Sequence, residues 1–444
     1  MTRGQAEGND SEDWTTVPLW RIAKIIVSTV DKKSYKDQVA VRLCNYVDVY
    51  YHDRIDDTIN FMESTASLSE ISSFSARAGD VVITKDSETA EDIGKSAIVG
   101  SDPEALVYGY HLTTYRPYDL RYSGFLKYIF DSAPFRARLI NSCNGVTRVG
   151  LTGDTQRNIR VPIPAPPTAK AIADYLDTET AQIDASVDAQ RRLITLLHER
   201  RVGVIGDLVT RGIGEHDLIE TPELSWSQKS PRDWDLAPLS GIVRTRFSGA
   251  WGTDPGEDEI DVPCVRVADF DRERRVVSSD VPTIRSIPRS SWISKGLRKD
   301  DLLLERSGGT AKNPVGTVVR YSGSSGAICS NFIEVIRLRE GQDPQYWNYA
   351  LRFAYENGFT FKFVNQTTGI QNLDANGFYS AKFAVPPLTE QRQIVNALDA
   401  VTAKLDTLIV RSERLIELLQ ERRSAVITAA VTGQIDVTRS EEAA

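Results

Sequence analysis

The stretch that decides the fold occurs twice, as AKAIADYLDTETAQIDASVDAQRRLITLLHERR at residues 169–201 and as QRQIVNALDAVTAKLDTLIVRSERLIELLQERR at residues 391–423. Equivalent positions are separated by a constant 222, since 394 − 172 = 222 for Ile172 and Ile394. The agreement continues beyond these stretches to Val209 and Val431. A constant separation over this length indicates an internal repeat, and a repeat determines the architecture before any other signal does.

Both copies have the apolar spacing of a long helix. Isoleucine or leucine recurs every eleven positions in each copy, and this period of about 3.67 residues per turn favours nearly straight, paired helices. The positions that we predict to pair are Ile172, Leu176, Ile183, Ile194, Leu197, Ile205, Ile394, Leu398, Leu405, Ile416, Leu419 and Ile427. Two unrelated amphipathic helices are the alternative, and the constant separation of matched residues argues against it.

Prolines precede both copies, at 166–167 and 386–387. Proline is tolerated at the start of a helix but not inside one, so these residues mark the two beginnings. Thr168 and Thr389 are the expected N-caps. About 40 residues without an internal proline would form a helix of roughly 60 Å. Such a length is typical of a coiled coil or of a strut between domains.

The regions before the two helices share weaker landmarks. Trp14 and Trp234 open them, and residues 79–85 resemble residues 300–306, where a polar turn is followed by an apolar strand and a basic residue. We therefore expect two domains of one mixed α/β fold that carry different surfaces. The predicted divisions are a first domain at 1–160, a first helical spacer at 161–212, a polar linker at 213–230, a second domain at 231–385, a second helical spacer at 386–434 and a disordered tail at 435–444.

Composition is that of a soluble globular protein. The 444 residues are 41% hydrophobic and 26% charged, with a net charge of −8. No apolar stretch reaches the ~18 residues that a membrane-spanning helix needs, and the N-terminal residues do not resemble a signal peptide. Four scattered cysteines suggest neither a zinc site nor a disulfide framework. We expect a cytoplasmic protein with reduced thiols.

A search for catalytic motifs finds none that is complete. Gly94-Lys95-Ser96 resembles the end of a phosphate-binding loop, but Thr89 occupies the position where that motif requires glycine. The four histidines do not have metal-ligand spacing. The chain is therefore expected to be a recognition protein without catalytic activity and without a metal or cofactor of its own.

The combined pattern resembles the specificity subunit of type I restriction–modification enzymes. It consists of a divergent domain, a proline hinge, and a helix with Ile-x-x-x-Leu-Asp, Glu-Arg-Arg and Val-Thr, all present twice. The segment from Pro386 to Val395, PPLTEQRQIV, is especially similar to that family's second repeat. The first copy departs from it, because Ala169-Lys170 stands where the family has Glu-Gln.

The resemblance implies that each divergent domain is a target recognition domain, reading one half of a bipartite site in double-stranded DNA. The two helices would pack antiparallel, set the unread gap and dock two methyltransferase subunits, and motor/nuclease subunits would join them. S-adenosylmethionine, ATP and Mg would be used by those partners. The complex would modify DNA and defend its host against foreign DNA.

Candidate DNA-binding residues follow from the donors and acceptors that read base edges, which are Arg and Lys, Asn and Gln, and Ser and Thr. The candidates are Lys85, Lys95, His111, Arg148, Arg157, Arg306, Lys312, Asn331, Gln366, Thr368 and Gln371. Residues 365–372, NQTTGIQN, are dense in amides and hydroxyls around a glycine and are the strongest candidate for a base-reading loop. An ordinary polar turn is the alternative there.

Two other functions stay open at this stage. A coiled-coil adaptor that assembles proteins would explain the helices, and the net negative charge favours it over DNA binding, because phosphate contacts need Lys and Arg. DNA binding stays possible despite the net negative charge, because basic residues cluster locally at 244–246, 272–275 and 298–299. An enzyme whose site is assembled only in space is the third possibility.

Overall fold

The computed structural model describes residues 14–437 except for residues 146, 225, 278–280, 311, 324–325 and 368. The described chain forms two compact units. The first contains the residues up to Arg191 and those from Glu413 onward, and the second is Arg192–Ser412. Each unit therefore contains one globular domain and a segment of each long helix.

The described residues of the first domain form twelve strands and five helices before the first long helix. The strands are β1 Thr15–Pro18, β2 Ala23–Val27, β3 Val39–Cys44, β4 Arg54–Ile55, β5 Met62–Ala66, β6 Val81–Thr84, β7 Asp86–Ser87, β8 Ser96–Val99, β9 Leu106–Tyr108, β10 Leu112–Pro117, β11 Val149–Gly150 and β12 Arg160–Ile163. The helices are α1 Tyr46–Tyr51, α2 Leu68–Phe74, α3 Ser123–Asp131, α4 Ala133–Asn141 and α5 Gly153–Asn158, with 3-10 turns at Leu19–Arg21, Ala90–Asp92 and Leu120–Tyr122. The first long helix is α6, Pro166–Arg211.

The second domain follows the same order. Its strands are β13 Leu218–Glu220, β14 Lys229–Pro231, β15 Asp235–Pro238, β16 Val243–Ser248, β17 Ile260–Val265, β18 Phe270–Asp271, β19 Val276–Val277, β20 Ile284–Ile287, β21 Leu302–Glu305, β22 Ser307–Gly308, β23 Val318–Arg320, β24 Ile328–Cys329, β25 Ile333–Leu338, β26 Val364–Thr367, β27 Ile370–Leu373 and β28 Lys382–Val385. Its helices are α7 Leu239–Ile242, α8 Arg289–Lys295, α9 Pro344–Glu356 and α10 Ala375–Ser380, with 3-10 turns at Val267–Asp269 and Thr360–Phe363. The second long helix is α11, Leu388–Val431.

The sheet topology confirms the prediction of two domains with one fold. The main sheet has the order β2-β10-β6-β8-β4 in the first domain and β16-β25-β21-β23-β19-β18 in the second. A smaller sheet has the order β5-β3-β9 in one and β20-β17-β24 in the other. In both domains an early strand pairs antiparallel with the last strand before the long helix, as β1 with β12 and β15 with β28. Each domain is thus closed at the point where the chain enters and leaves it.

Side chains inside the two main sheets repeat as well. Strands β6 and β21 are buried along their whole length, as the apolar runs in the sequence predicted. In the first domain Arg116 donates to the buried carboxylate of Asp80 at 2.7 Å. In the second, Arg337 donates to Asp301 at 2.9 Å. A buried carboxylate needs such a partner because an isolated charge is costly to remove from water, and both domains use the same solution.

The predicted N-caps of the long helices are wrong. The N–H of Ala169 donates to the carbonyl of Ala165, and the N–H of Gln391 donates to the carbonyl of Pro387, both at 2.9 Å. Thr168 and Thr389 therefore lie inside the first turn. Proline fits the start of a helix, where no N–H donor is needed, so α6 begins at Pro166 and α11 directly after Pro387.

The long helices run antiparallel in both units. In the first unit Ile172 and Leu176 of α6 share a core with Ile427 and Val431 of α11. In the second unit the C-terminal end of α6 meets the N-terminal end of α11. The shared core there contains Ile205 and Val209 of α6 together with Ile394 and Leu398 of α11. Most of the residues in these two cores come from the globular domains, so the ends of the helices are part of the domain interiors.

Away from the domain cores, the helices pack mainly on each other. Leu197, Leu405 and Ile409 form a small cluster of their own, with Ile194 and Val401 packed against it. Ile183 is also buried. Ile416 and Leu419 are half-buried. Of the twelve positions predicted to pair, six thus lie in the domain cores and three in this cluster between the helices.

The segment predicted as a polar linker has regular structure. Strands β13 and β14 pair antiparallel, and Leu224 and Trp226 join the core of the second domain. Sequence patterning missed this because the apolar residues are isolated among polar ones. The predicted tail is packed at its start, since Ile435 and Val437 contact the core of the first unit, whereas residues 438–444 of that tail lie outside the described residues.

We expect Gly206→Ala to destabilise the second unit. A Cβ atom at Gly206 would clash with the ring of Phe353 on α9, and an added methyl group in a tightly packed site costs about 1–3 kcal/mol. Gly203→Ala on the same helix is the matched control, because a Cβ atom there meets nothing within 4 Å. Alanine is the better helix former, so the control should gain about 0.5–1 kcal/mol. Differential scanning calorimetry of both variants measures this, and equal shifts would contradict the close approach of α6 and α9.

Candidate nucleic-acid interface

Three candidates of the first domain meet at one carboxylate, that of Asp86 on the edge strand β7. The side chains of Lys85 and His111 each contact an oxygen of Asp86, and Arg148 Nη2 lies 3.2 Å from Oδ1. Strand β7 pairs with β11, which directly follows Arg148. Residues from three separate parts of the domain are therefore held around one negative charge.

The contacts of His111 fit a neutral ring. Its Nδ1 contacts Asp86, and Arg148 donates to its Nε2 at 3.2 Å. A neutral ring with the proton on Nδ1 satisfies both contacts, because a guanidinium can only donate. Burial lowers the pKa of His111 below its usual value, and this effect outweighs the opposite influence of Asp86. His111 is thus a neutral hydrogen-bonding group in this site.

A cavity of about 450 Å³ lies beside this cluster. Its wall combines aromatic rings with charged groups: Tyr46, Tyr50, Tyr51, Lys32, Asp86, Asp92, His111 and Arg148 line it together with Val47, Ser87, Glu88 and Thr89. Tyr46 and Tyr50 stack at a centroid distance of 5.6 Å. Aromatic faces beside basic groups are suited to nucleobases and phosphates.

The other two candidates of the first domain lie elsewhere. Lys95 Nζ sits over the ring of Tyr50 at 5.4 Å and lines a separate cavity with Asp53, Asp131 and Arg423. Arg157 is exposed on α5. The structure therefore brings together Lys85, His111 and Arg148 but not Lys95 or Arg157.

The amide-rich segment of the second domain is a β-hairpin. Strands β26 and β27 pair antiparallel with Gln366 opposite Gln371, and Gly369 has the positive φ of 85° that suits the turn. Strand β27 also pairs with β22, the counterpart of β7. The hairpin thus stands at the place where β11 stands in the first domain. Thr368, the remaining candidate of this segment, lies outside the described residues.

The two glutamines have different surroundings. Gln366 is exposed. The side-chain oxygen of Gln371 accepts a hydrogen bond of 3.2 Å from the N–H of Val315. That bond ties the hairpin to the loop that carries Lys312, which is exposed. Gln371 therefore supports the loop, whereas the side chain of Gln366 faces solvent.

Arg306 and Asn331 lie near the base of this hairpin. Arg306 Nη1 is 3.1 Å from the buried carboxylate of Glu334, and its carbonyl accepts from the N–H of Leu373. Asn331 is exposed and directly precedes Phe332, whose carbonyl accepts from the N–H of Arg306. The described candidates of the second domain thus lie on β26 and β27, on the segments that flank β22 and on the loop before β25.

Sequence reasoning missed the groups that organise both sites. Asp86 and Glu334 belong to no recognisable sequence motif, although each carboxylate contacts basic side chains among the candidate residues. Arg246 also pairs with Glu334 at 3.3 Å and lies over the ring of Tyr379 at 4.2 Å. Its place in a basic cluster was the only signal.

Part of the basic cluster at residues 272–275 is internal. Arg272 donates to the buried carboxylate of Glu305 at 2.7 Å, and Arg275 Nη2 is 3.2 Å from Glu356. The idea of a basic face at these residues is therefore not supported for Arg272 and Arg275, because their charges are compensated inside the domain.

The described part of the chain contains no group of His, Cys, Asp and Glu that could hold a metal ion. The four cysteines are free, and burial raises the pKa of each thiol, to about 12 for Cys264. None of the described helices is long and apolar enough to cross a membrane.

Comparison with known proteins gives consistent matches. Residues 295–418 match the family described as "Type I restriction modification DNA specificity domain". The StySPI specificity subunit of Salmonella potsdam is 22% identical to this chain, over 98% of this chain and 91% of its own length. The EcoKI specificity subunit of Escherichia coli K12 is also 22% identical, over 80% of this chain and 75% of its own length.

Solved structures share the fold. The HsdS subunit from Thermoanaerobacter tengcongensis aligns with a TM-score of 0.53 at 16% identity, covering 98% of this chain and 100% of that one. A chain from "Structural basis underlying complex assembly and conformational transition of the type I R-M system" aligns with a TM-score of 0.68 at 16% identity, covering 94% and 97%. The resemblance to type I restriction specificity subunits that the repeat predicted is therefore confirmed, and these relatives are specificity components rather than enzymes.

We expect Asp86→Asn to lower the pKa of His111 further. The carboxylate favours the protonated ring and partly offsets the effect of burial, so its replacement by a neutral amide removes that support. Arg148→Ala should raise the same pKa, because the guanidinium opposes protonation. NMR titration of the histidine ring signals measures both shifts. Asp154→Asn on the exposed face of α5 is the control and should leave the pKa of His111 unchanged. A rise of that pKa in Asp86→Asn or a fall in Arg148→Ala would contradict the Asp86 cluster.

Proposed function

We propose that this chain is the DNA-reading subunit of a type I restriction–modification complex and that each globular domain reads one half of a bipartite, gapped site. The observation that carries the proposal is the duplication of a fold whose equivalent edges carry different polar groups. One edge has the Asp86 cluster with its tyrosines, and the other has the amide hairpin. Two domains of one fold with unlike surfaces suit two unlike half-sites.

The chemistry of the two edges fits the reading of bases. Amides such as Gln366 suit adenine, and arginines such as Arg148 suit guanine. Both side chains are exposed, so they are accessible to a duplex.

We propose that the paired helices set the unread gap between the half-sites. Helix α6 has 46 residues and α11 has 44. At about 1.5 Å per residue, each is on the order of 65–70 Å long. This exceeds one turn of DNA, which is about 34–36 Å.

Exposed leucines on the helices support docking of partner subunits. Leu193 and Leu196 on α6 are exposed, and so are Leu415 and Leu418 on α11. These are equivalent positions of the repeat, since 415 − 193 = 222 and 418 − 196 = 222. Apolar side chains that stay exposed in one chain often mark an interface. A duplicated pair suits two methyltransferase subunits, with motor/nuclease subunits joining them.

The cofactors of the reaction belong to those partners in this proposal. S-adenosylmethionine would serve the methyltransferase subunits, and ATP and Mg the motor/nuclease subunits. This chain would recognise the DNA sequence, and its own groups would contribute binding and orientation only.

Mapping of methylated bases across the host genome, with and without this gene, tests the proposal. We expect a gapped motif with two defined halves to disappear when the gene is deleted and to return with a plasmid copy. If methylation is unchanged while the partner subunits are active, the chain is better explained as an assembly adaptor.

Gln366→Ala should relax recognition of one half of that motif and leave the other half unchanged. The loss of a bidentate contact with adenine would reduce discrimination at one base by about 1–3 kcal/mol. Gln228→Ala is the matched control, because Gln228 is an exposed amide of another hairpin in the same domain. Sequencing of the methylated sites gives the result, and an unaltered motif would remove Gln366 from the reading surface.

A further inference from the structure

The helical repeat preserves polar residues that its apolar packing does not require. Asp177 and Asp399 are equivalent, as are Thr180 and Thr402, Asp184 and Asp406, and Arg201 and Arg423, because each pair is separated by 222. A helix that only paired with another would need leucine and isoleucine at its interface and could vary its polar positions freely. The contacts of these eight residues give them a common role.

The first contact joins each domain to the helix that directly follows it. In the first unit the hydroxyl of Tyr128 on α3 donates to Asp177 of α6 at 2.6 Å and lies 3.1 Å from Thr180 Oγ1. In the second unit the hydroxyl of Tyr349 on α9 donates to Asp399 of α11 at 2.6 Å. The arrangement is therefore the same in both copies.

Thr402 completes the second copy of this contact, at 3.3 Å from the Tyr349 hydroxyl. Burial raises the pKa of both tyrosines, to about 12 for Tyr349. The hydroxyls are therefore protonated donors at neutral pH, and each carboxylate receives a directional bond from a domain.

The second contact joins each domain to the other helix. In the first unit Arg423 of α11 lies 3.2 Å from Asp53 of the first domain and 3.0 Å from Asp184 of α6. One guanidinium thus bridges a globular domain and both helices. Arg has the planar, multidentate geometry that such a bridge needs.

The second unit repeats this bridge with residues from the opposite copies. Arg201 of α6 pairs with Asp406 of α11, and its Nη1 lies 3.4 Å from Glu273 of the second domain. The side chain of Arg201 is only 2% exposed. Arg352 of α9 also donates to the carbonyl of Glu273 at 2.9 Å, so the turn that carries Glu273 is held from the domain and from the helix.

We propose that these residues form two equivalent latches that fix the orientation of each recognition domain on the helices. Each latch consists of a tyrosine bound to the helix that follows its domain and an arginine supplied by the other helix. Arg201 therefore positions the second domain although it belongs to the first copy of the repeat, and Arg423 positions the first domain. The effect of the latches on DNA recognition rests on the proposed function, because the orientation of a domain determines which half-site it can reach.

If the latches orient the domains, each arginine should affect the domain that belongs to the other copy of the repeat. Arg201→Ala should impair recognition of the half-site read by the second domain, and Arg423→Ala that of the half-site read by the first. Arg200→Ala is the matched control for Arg201, because Arg200 is the exposed neighbour on the same helix. Arg422→Ala is the second control, since Arg422 pairs with Glu179 of α6 and not with a domain.

Hydrogen–deuterium exchange on the full-length chain tests the latches independently of DNA. Arg201→Ala should increase the exchange rate in residues 270–277 and in α9, and leave that of α3 unchanged. The increase should be on the order of tenfold, because an ion pair with partly exposed partners contributes less stability than a fully buried pair. Arg423→Ala should act on α1 and the loop with Asp53, and leave α9 unchanged. Equal effects of Arg200→Ala and Arg201→Ala, or an Arg201 effect confined to the helices, would overturn the proposal.

Conservative variants keep the test valid if an alanine variant fails to fold. Tyr128→Phe and Tyr349→Phe remove one hydroxyl each and should loosen only α3 or only α9. In a double-mutant cycle, Glu273→Ala should add little to Arg201→Ala, because both remove the same contact. Full additivity would contradict the latch.

Methylation mapping of the same variants separates the latch from the proposed function. If an arginine variant changes hydrogen exchange in the domain that it contacts and also abolishes recognition of the half-site read by that domain, the result supports both the latch and the proposed function. Changed exchange with unchanged methylation would uphold the latch as a structural contact and contradict its role in reading DNA.

Discussion

The structure depends on one constraint, which is that a long amphipathic helix cannot bury its apolar stripe alone. Helix α6 places Ile172 in the core of the first domain and Ile205 in the core of the second, and α11 does the same with Ile427 and Ile394. Among the described residues, the cluster around Leu197 is formed by the helices themselves. Domain and helix therefore share one hydrophobic interior in each unit, and burial of apolar area, at about 25 cal/mol per Å², stabilises both together.

Much of this architecture could be predicted from sequence because it depends on local patterns. The 11-residue period identified the helices, and the buried runs at β6 and β21 identified the central strands. The errors arose where tertiary contacts decide the outcome. Helix α6 begins at Pro166 and α11 directly after Pro387, rather than after a threonine cap. The polar segment before the second domain contributes Trp226 to a core. Neither result follows from periodicity.

The recognition surfaces were less predictable, since they are assembled from distant parts of the chain. His111 and Arg148 were identified as single residues, but the carboxylate of Asp86 that joins them was not. Charge alone was misleading for Arg272 and Arg275, which are paired with glutamates inside the domain. Residue type indicates which groups can read a base, whereas the position of each group follows from strand pairing, as for β7 with β11 and β22 with β27.

The division of the chain into a continuous and a discontinuous unit determines the order in which the units can be completed during synthesis. The second unit is one uninterrupted segment, Arg192–Ser412. The first domain is made earlier, but its core includes Ile427, Ala430 and Val431 from the far end of α11. Its last contacts must therefore wait for that helix to leave the ribosome, although domains generally fold in the order of synthesis. Until then its apolar surface stays accessible to chaperones, so the domain made first is the one completed last.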